Sequence, residues 1–91
     1  MSKEPQNPFG VDASFSTLIL SLGSSAAMAL GLAPNPSTGK VEKDLHMAKF
    51  NIDLLEVLKD KTKNNLLKEE SDFLNHLTSD LQLKYVEAAK H

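Results

Sequence analysis

The chain of 91 residues contains no cysteine, no tryptophan and no arginine. Without cysteine, it forms neither a disulfide nor a thiolate zinc site. Because arginine is the preferred side chain for reading guanine edges and phosphate groups, its absence argues against nucleic-acid binding. A chain this short buries a small share of its surface, so we expect oligomerisation to supply the stability that cross-links do not.

Charge is missing from residues 13–39, although Lys, Asp and Glu are frequent in the rest of the chain. A membrane-spanning helix needs about 20 apolar residues, and residues 13–33 reach that length only if their Ser, Thr and Gly residues are included. The segment also lacks the aromatic belt and the flanking basic cluster of membrane spans. We therefore expect it to lie in the core of the fold.

A secretion signal is a second interpretation of this segment, because Ala27-Met28-Ala29 matches a small-residue cleavage site. Such a leader would be long and would contain two prolines. Its removal would leave a two-helix hairpin, which has too little core to fold alone. We expect the segment to remain in the protein as its first helix.

Hydrophobic periodicity predicts three helices, at about residues 13–32, 41–62 and 67–90, and residues 1–12 read as a flexible terminus. Residues 13–91 then form a single helical domain. The predicted fold class is all-α, a three-helix bundle-like domain that we expect to be completed by homodimerisation.

Local signals mark the ends of these helices. Asp12 or Ser14 is a suitable N-cap for the first helix, because its side-chain oxygen accepts from a free backbone N–H. The proline-rich residues 34–36 end that helix. Asn64 or Asn65 is suited to the left-handed conformation that ends the second helix.

Small residues recur at steps of four along one flank of the first helix, at Gly23, Ala27 and Gly31. This spacing lets another helix approach closely, either from the same chain or from a second copy. We favour the homodimer seam, because a small scaffold often needs self-association.

The second helix carries more apolar surface than one neighbouring helix covers. One row of apolar residues follows helical spacing, and a second row on its flank widens the apolar surface. The first comprises Val41, Leu45, Ala48, Ile52 and Leu55, and the second comprises Met47, Phe50, Leu54, Val57 and Leu58. We predict that Leu45, Ile52 and Leu55 contribute to a helix–helix interface. On the third helix, Leu83 and Val86 fall outside the apolar face and suggest another contact surface.

Two polar residues of the second helix, Asp44 and Asn51, lie seven apart and therefore on one side. We expect them near the edge of an interface, where their polar atoms need partners. A cavity beside them is the basis of one alternative, a small-ligand binder or enzyme. No nucleophile elbow or phosphate-binding loop accompanies them, so we expect no enzyme.

The histidines are the side chains that titrate nearest neutral pH. His46 shares a helix face with Glu42 and Asp53, but that face also carries Lys49, which indicates a solvated charged strip. His76 and His91 have normal surface or terminal surroundings. We predict no bound metal and no cofactor, since a metal site needs three or four converging ligands.

Several short pieces of the sequence resemble a small bacterial family known as domain of unknown function 1844. They include Phe15-Ser16-Thr17, Pro34-Asn35-Pro36, Thr38-Gly39-Lys40, Ile52-Asp53-Leu54-Leu55, Lys61-Thr62-Lys63 and Tyr85-Val86-Glu87-Ala88. Their order and spacing carry the resemblance, which covers nearly all of residues 13–89. It implies a short, soluble, helical protein without assigned activity, and it brings no functional residues.

This chain departs from the family pattern at three places. Asn64 replaces a frequent glycine, Leu67 replaces a frequent Thr cap, and Gln82 and Lys84 stand where arginine is frequent. The resemblance implies that the third helix loses its usual cap and that any anion-binding basic pair is weakened.

The sequence favours a cytoplasmic helical module that acts by self-association and by docking a protein partner, with no nucleic acid. A peripheral membrane protein that uses residues 15–32 is the alternative from a different class.

Overall fold

The computed structural model describes residues 13–90, which form the helices α1 (Phe15–Ala29), α2 (Leu45–Lys61) and α3 (Lys68–Ala89). This described part contains no strand, so the all-α prediction is confirmed. The predicted flexible terminus and His91 lie outside the described residues.

The three helices pack side by side, and each contacts both of the others. The end of α1 is joined to the start of α2, because the Asp44 N–H donates to the Ala29 carbonyl at 2.7 Å. Helices α2 and α3 run antiparallel, because Lys49 lies beside Tyr85 whereas Lys59 lies beside Asn75. Helices α1 and α3 run parallel, because Gly23 lies at Leu77 and Leu30 lies beside Ala88. Helices α1 and α2 are therefore antiparallel as well.

Helix α1 begins and ends with hydrogen-bonded caps. Ser14 is its N-cap, as predicted, and the Ser14 hydroxyl accepts from the Thr17 N–H at 3.1 Å. At the other end, the N–H groups of Gly31 and Leu32 donate back to Met28 and Ala27 at 3.0 and 2.9 Å. This is the Schellman pattern, and it needs the positive φ of 83° at Gly31.

The predicted first helix was therefore too long. Gly31 matches the helical spacing of Gly23 and Ala27 in the sequence, but it lies beyond the helix and reverses the chain direction. From the spacing, Gly31 was predicted to pack against another helix. Its left-handed backbone shows instead that it ends α1, a position where glycine adopts positive φ without steric cost.

Helix α2 begins four residues later than predicted, at Leu45 rather than Val41. Asp44 is its N-cap, and Asp44 Oδ1 accepts from the Met47 N–H at 3.2 Å. Residues 41–44 lie outside the helix, Asp44 has an extended backbone, and Val41 is exposed. The apolar spacing of Val41 was misleading, because the Asp44 cap and its bond to Ala29 fix the start of the helix.

The core between the helices is small. Nine apolar residues are buried, and three of them are alanines. The buried set is Ile19, Ala26, Ala29, Leu30, Ala48, Ile52, Leu55, Leu74 and Leu81. The polar Thr78 is buried with them, and its hydroxyl donates to the Leu74 carbonyl at 2.7 Å. Its side chain is thereby satisfied within its own helix.

The closest approach of α1 to α3 occurs at Gly23. A Cβ atom placed there would lie 2.8 Å from Leu77 Cδ2, which is below van der Waals contact. Gly23 therefore faces a helix of its own chain, and its small size lets α3 settle against α1.

We predict that Gly23→Leu destabilises the fold by about 1–3 kcal/mol, because the larger side chain overlaps Leu77. Urea denaturation followed by circular dichroism, at one fixed protein concentration, measures the change. Ser24→Leu is the matched control, since Ser24 is exposed on the same helix. Equal stability of the two variants would contradict this packing.

The turn between α2 and α3 contains Asn64 at φ 69°, so Asn64 takes the predicted left-handed conformation. The turn leads to Leu67, whose side chain cannot cap α3. The Glu70 carboxylate compensates in part by accepting from the Leu67 N–H at 3.0 Å.

We expect Asn64→Gly to stabilise the chain by up to about 1 kcal/mol, because glycine adopts positive φ without the steric cost of a side chain. Thermal unfolding provides the measurement. Asn65→Gly is the control and should lower stability, since Asn65 has no positive φ. A loss of stability in Asn64→Gly would refute the assignment.

Candidate functional site

The outer face of α2 carries a row of apolar side chains that α1 and α3 leave largely exposed. The row consists of Met47, Phe50, Leu54 and Val57, and we call it the α2 stripe. Phe50 is 54% exposed and Val57 is 50% exposed, whereas Leu54 is half-buried. The inner face of the same helix carries the buried Ala48, Ile52 and Leu55.

Residues of the α2 stripe follow one another at steps of three, four and three. This is the a/d spacing of a coiled coil, in which side chains from two helices interlock along a seam. Lys61 continues the spacing by a further step of four and ends the stripe with a positive charge. The α2 stripe therefore combines coiled-coil spacing with exposed apolar side chains.

Charged side chains line one side of the α2 stripe. The Lys49 ammonium donates to Asp53 Oδ2 at 2.9 Å. This hydrogen bond, together with the attraction between the charges, raises the pKa of Lys49 above its ordinary value. The pair is solvent-exposed, so it adds little stability and keeps this flank polar.

The predicted interface residues mostly make contacts within the chain. Gly23, Ile52 and Leu55 are buried in the bundle, and Leu45 is half-buried against its core. Ala27 is half-buried on α1, and Gly31 lies after that helix. The structure separates these residues from the α2 stripe, which the sequence had shown only as a flank.

A cleft of about 280 Å³ lies beside Met47, at the end of the α2 stripe nearest the N-terminus of α2. We call it the α1–α2 cleft. Its lining includes the predicted pair Asp44 and Asn51, and the structure adds Glu42 and Asn35 from the loop before α2. No sequence pattern indicates that Asn35 lies here, because its position depends on the course of that loop.

Asn51 is 6% exposed, and its amide donates to the Met47 carbonyl at 2.9 Å. Its Oδ1 has no hydrogen-bond partner among the described residues. Asp44 uses Oδ1 to cap α2, which leaves Oδ2 available. The cleft therefore presents acceptor oxygens and a negative charge, a lining suited to a cationic group.

The histidines within residues 13–90 do not converge with other ligands. No group of three His, Cys, Asp or Glu side chains in this described part is arranged to hold a metal ion. His46 and His76 are both exposed. Over the same residues, no helix is long and apolar enough to cross a membrane.

The described residues form a small all-α domain of three helices, with an apolar stripe on α2 that α1 and α3 leave largely exposed. Its sequence matches the family model described as Domain of unknown function (DUF1844) over residues 12–87. The chain belongs to this family. No curated protein and no solved structure matches it.

We predict that Asp44→Ala lowers the free energy of unfolding by about 1 kcal/mol, because the first turn of α2 loses its side-chain cap. Asp44→Asn should retain most of the stability, since asparagine also caps. Denaturation of both variants measures the effect, with the exposed Lys40→Ala as control. If alanine and asparagine gave the same stability, the capping role would be excluded.

Proposed function

We propose that this protein is a helical interaction module that self-associates through the α2 stripe. The observation that supports the proposal is the exposure of a coiled-coil seam on a helix whose opposite face is already packed. In a coiled coil, side chains at this spacing are buried by a second helix, and in the proposed dimer α2 of the second copy supplies it.

The small size of the core gives a physical reason for association. Each square ångström of apolar surface removed from water contributes roughly 25 cal/mol, and three of the nine buried apolar residues are alanines with little surface to bury. Covering the α2 stripe adds apolar burial that the single chain does not obtain. In the proposed dimer, association therefore raises the free energy of unfolding and removes an exposed apolar surface from water.

The peripheral-membrane alternative is less well supported by the packing. It requires α1, where Ile19, Gly23 and Ala26 are buried in the bundle, so inserting that face into lipid would require the bundle to open. The exposed apolar side chains of α1, Leu18 and Leu20, remain accessible to lipid. Vesicle co-sedimentation of the intact protein tests this alternative, and we expect no retention on the lipid.

Docking of a different protein remains part of the proposal, because a partner helix with the same spacing fits the same stripe. The cytoplasmic location stays a prediction. So does the absence of catalysis.

We predict that Phe50→Glu converts a dimer into a monomer of about 10 kDa without loss of helix content, since Phe50 is exposed in the single chain. A carboxylate at a seam position cannot be desolvated without a partner. Sedimentation equilibrium over a wide concentration range measures the mass, and circular dichroism measures the helix content.

Leu83→Glu is the matched control for this substitution. Leu83 is also exposed, at 60%, but it lies on α3 and outside the α2 stripe. The control should remain a dimer. A monomeric parent chain at all concentrations, or equal dimerisation of both variants, would overturn self-association through this surface.

A further inference from the structure

We infer that the two α2 helices of the dimer run antiparallel and that Lys61 of the partner subunit enters the α1–α2 cleft. This inference rests on the proposed self-association through the α2 stripe and specifies its geometry. It is carried by unpaired opposite charges at the two ends of the same stripe.

Lys61 is the positive end of the stripe. It lies four residues beyond Val57 at the last position of α2, and it is exposed. It makes no ion pair with any residue in the described part of the chain, although Lys49, Lys59 and Lys84 each have an acidic neighbour. A lysine at a single seam position of a coiled coil specifies the register of the two helices.

The α1–α2 cleft is the negative end. Glu42 forms no ion pair within residues 13–90, and Asp44 keeps one carboxylate oxygen free. Asn51, which is 6% exposed and donates its amide N–H to Met47, adds Oδ1. Since no buried side-chain oxygen or nitrogen of the described residues lacks a partner, this Oδ1 is open to solvent. Together, these oxygens are acceptors for the three donors of a lysine ammonium group.

The apolar side chains fix how the two ends meet. In an antiparallel pair, Met47 lies opposite Val57 of the partner subunit and Phe50 lies opposite Leu54 of the partner subunit, so all four layers are apolar. The same two-fold symmetry sets Lys61 of the partner subunit level with residue 43, beside the cleft.

Lys43 itself does not occupy this place. Its side chain runs along Gly31, where a Cβ atom would lie 3.7 Å from Lys43 Cβ and 3.8 Å from Lys43 Cε. It also lines a separate cleft with Lys84 and Glu87 of α3. The acidic side is therefore open to a lysine from the second chain.

A parallel pair would be electrostatically unfavourable. It would place Lys61 against Lys61 of the partner subunit, and like charges at close range repel. It would also place the two helix dipoles side by side in the same direction. In an antiparallel pair, the positive N-terminus of each helix lies beside the negative C-terminus of the other.

The orientation is testable because the chain has no cysteine, so a single introduced cysteine is labelled uniquely. Asp60 is exposed and lies beside the stripe, and Asp60→Cys leaves Lys61 intact. Pulsed electron paramagnetic resonance on the spin-labelled dimer should give a distance above about 20 Å, since the helical rise separates the two labels along the axis. A parallel pair would give about 10 Å, the spacing of packed helices.

The lysine contact has its own test by charge reversal. Lys61→Glu should weaken dimerisation about tenfold, which corresponds to about 1.4 kcal/mol. Addition of Glu42→Lys to that variant should restore the affinity, because the opposite charges face each other again. Lys63→Glu is the matched control, since it makes the same change beyond the end of α2 and should alter affinity little.

The outcomes separate this inference from the proposed function. A labelled dimer with a short distance would overturn the antiparallel orientation and leave self-association standing. A long distance with equal effects of Lys61→Glu and Lys63→Glu would overturn the lysine contact alone. If both the parent chain and the Asp60→Cys variant were monomeric at all concentrations, both proposals would be overturned.

Discussion

The packing of α1 against both other helices is the constraint on which the rest of the structure depends. Gly23 brings α3 close through Leu77, and the buried Ala26 and Ala29 keep the same side of α1 narrow. A helix with larger side chains there would hold its neighbours apart. Because α1 has no charged residue, both neighbours pack against it without leaving a buried charge unpaired.

This arrangement determines the state of α2. Its inner face packs in the bundle through Ala48, Ile52 and Leu55, so the outer Phe50 and Val57 find no partner within the described chain. The two faces have different consequences. The inner face stabilises the single chain, and the outer face is the basis of the proposed association.

The sequence predicted the helices and several of their ends, because those features depend on nearby residues. Ser14 has the side chain for an N-cap, and Asn64 tolerates positive φ. The predicted start of α2 was wrong, because the actual start depends on a hydrogen bond from the Asp44 N–H to the Ala29 carbonyl, and these residues are distant in the chain. Gly31 was misassigned because helical spacing does not show where a helix has already ended.

The surface could be predicted only in part. The width of the apolar arc on α2 indicated two contact faces, but periodicity does not decide which face the chain covers itself. That choice follows from how α1 and α3 fold around α2. The spacing of Asp44 and Asn51 predicted that they lie on one side, and both line the α1–α2 cleft, whereas Asn35 joins them only through the path of the loop.

Isotope-filtered nuclear Overhauser spectroscopy on a mixture of labelled and unlabelled chains tests the central claim most directly, because it detects only contacts between two copies. Self-association through the α2 stripe predicts cross-chain signals from the Phe50 ring to α2 methyl groups of the partner. Cross-chain signals confined to Gly23 and Ala27, or none at millimolar protein concentration, would contradict it.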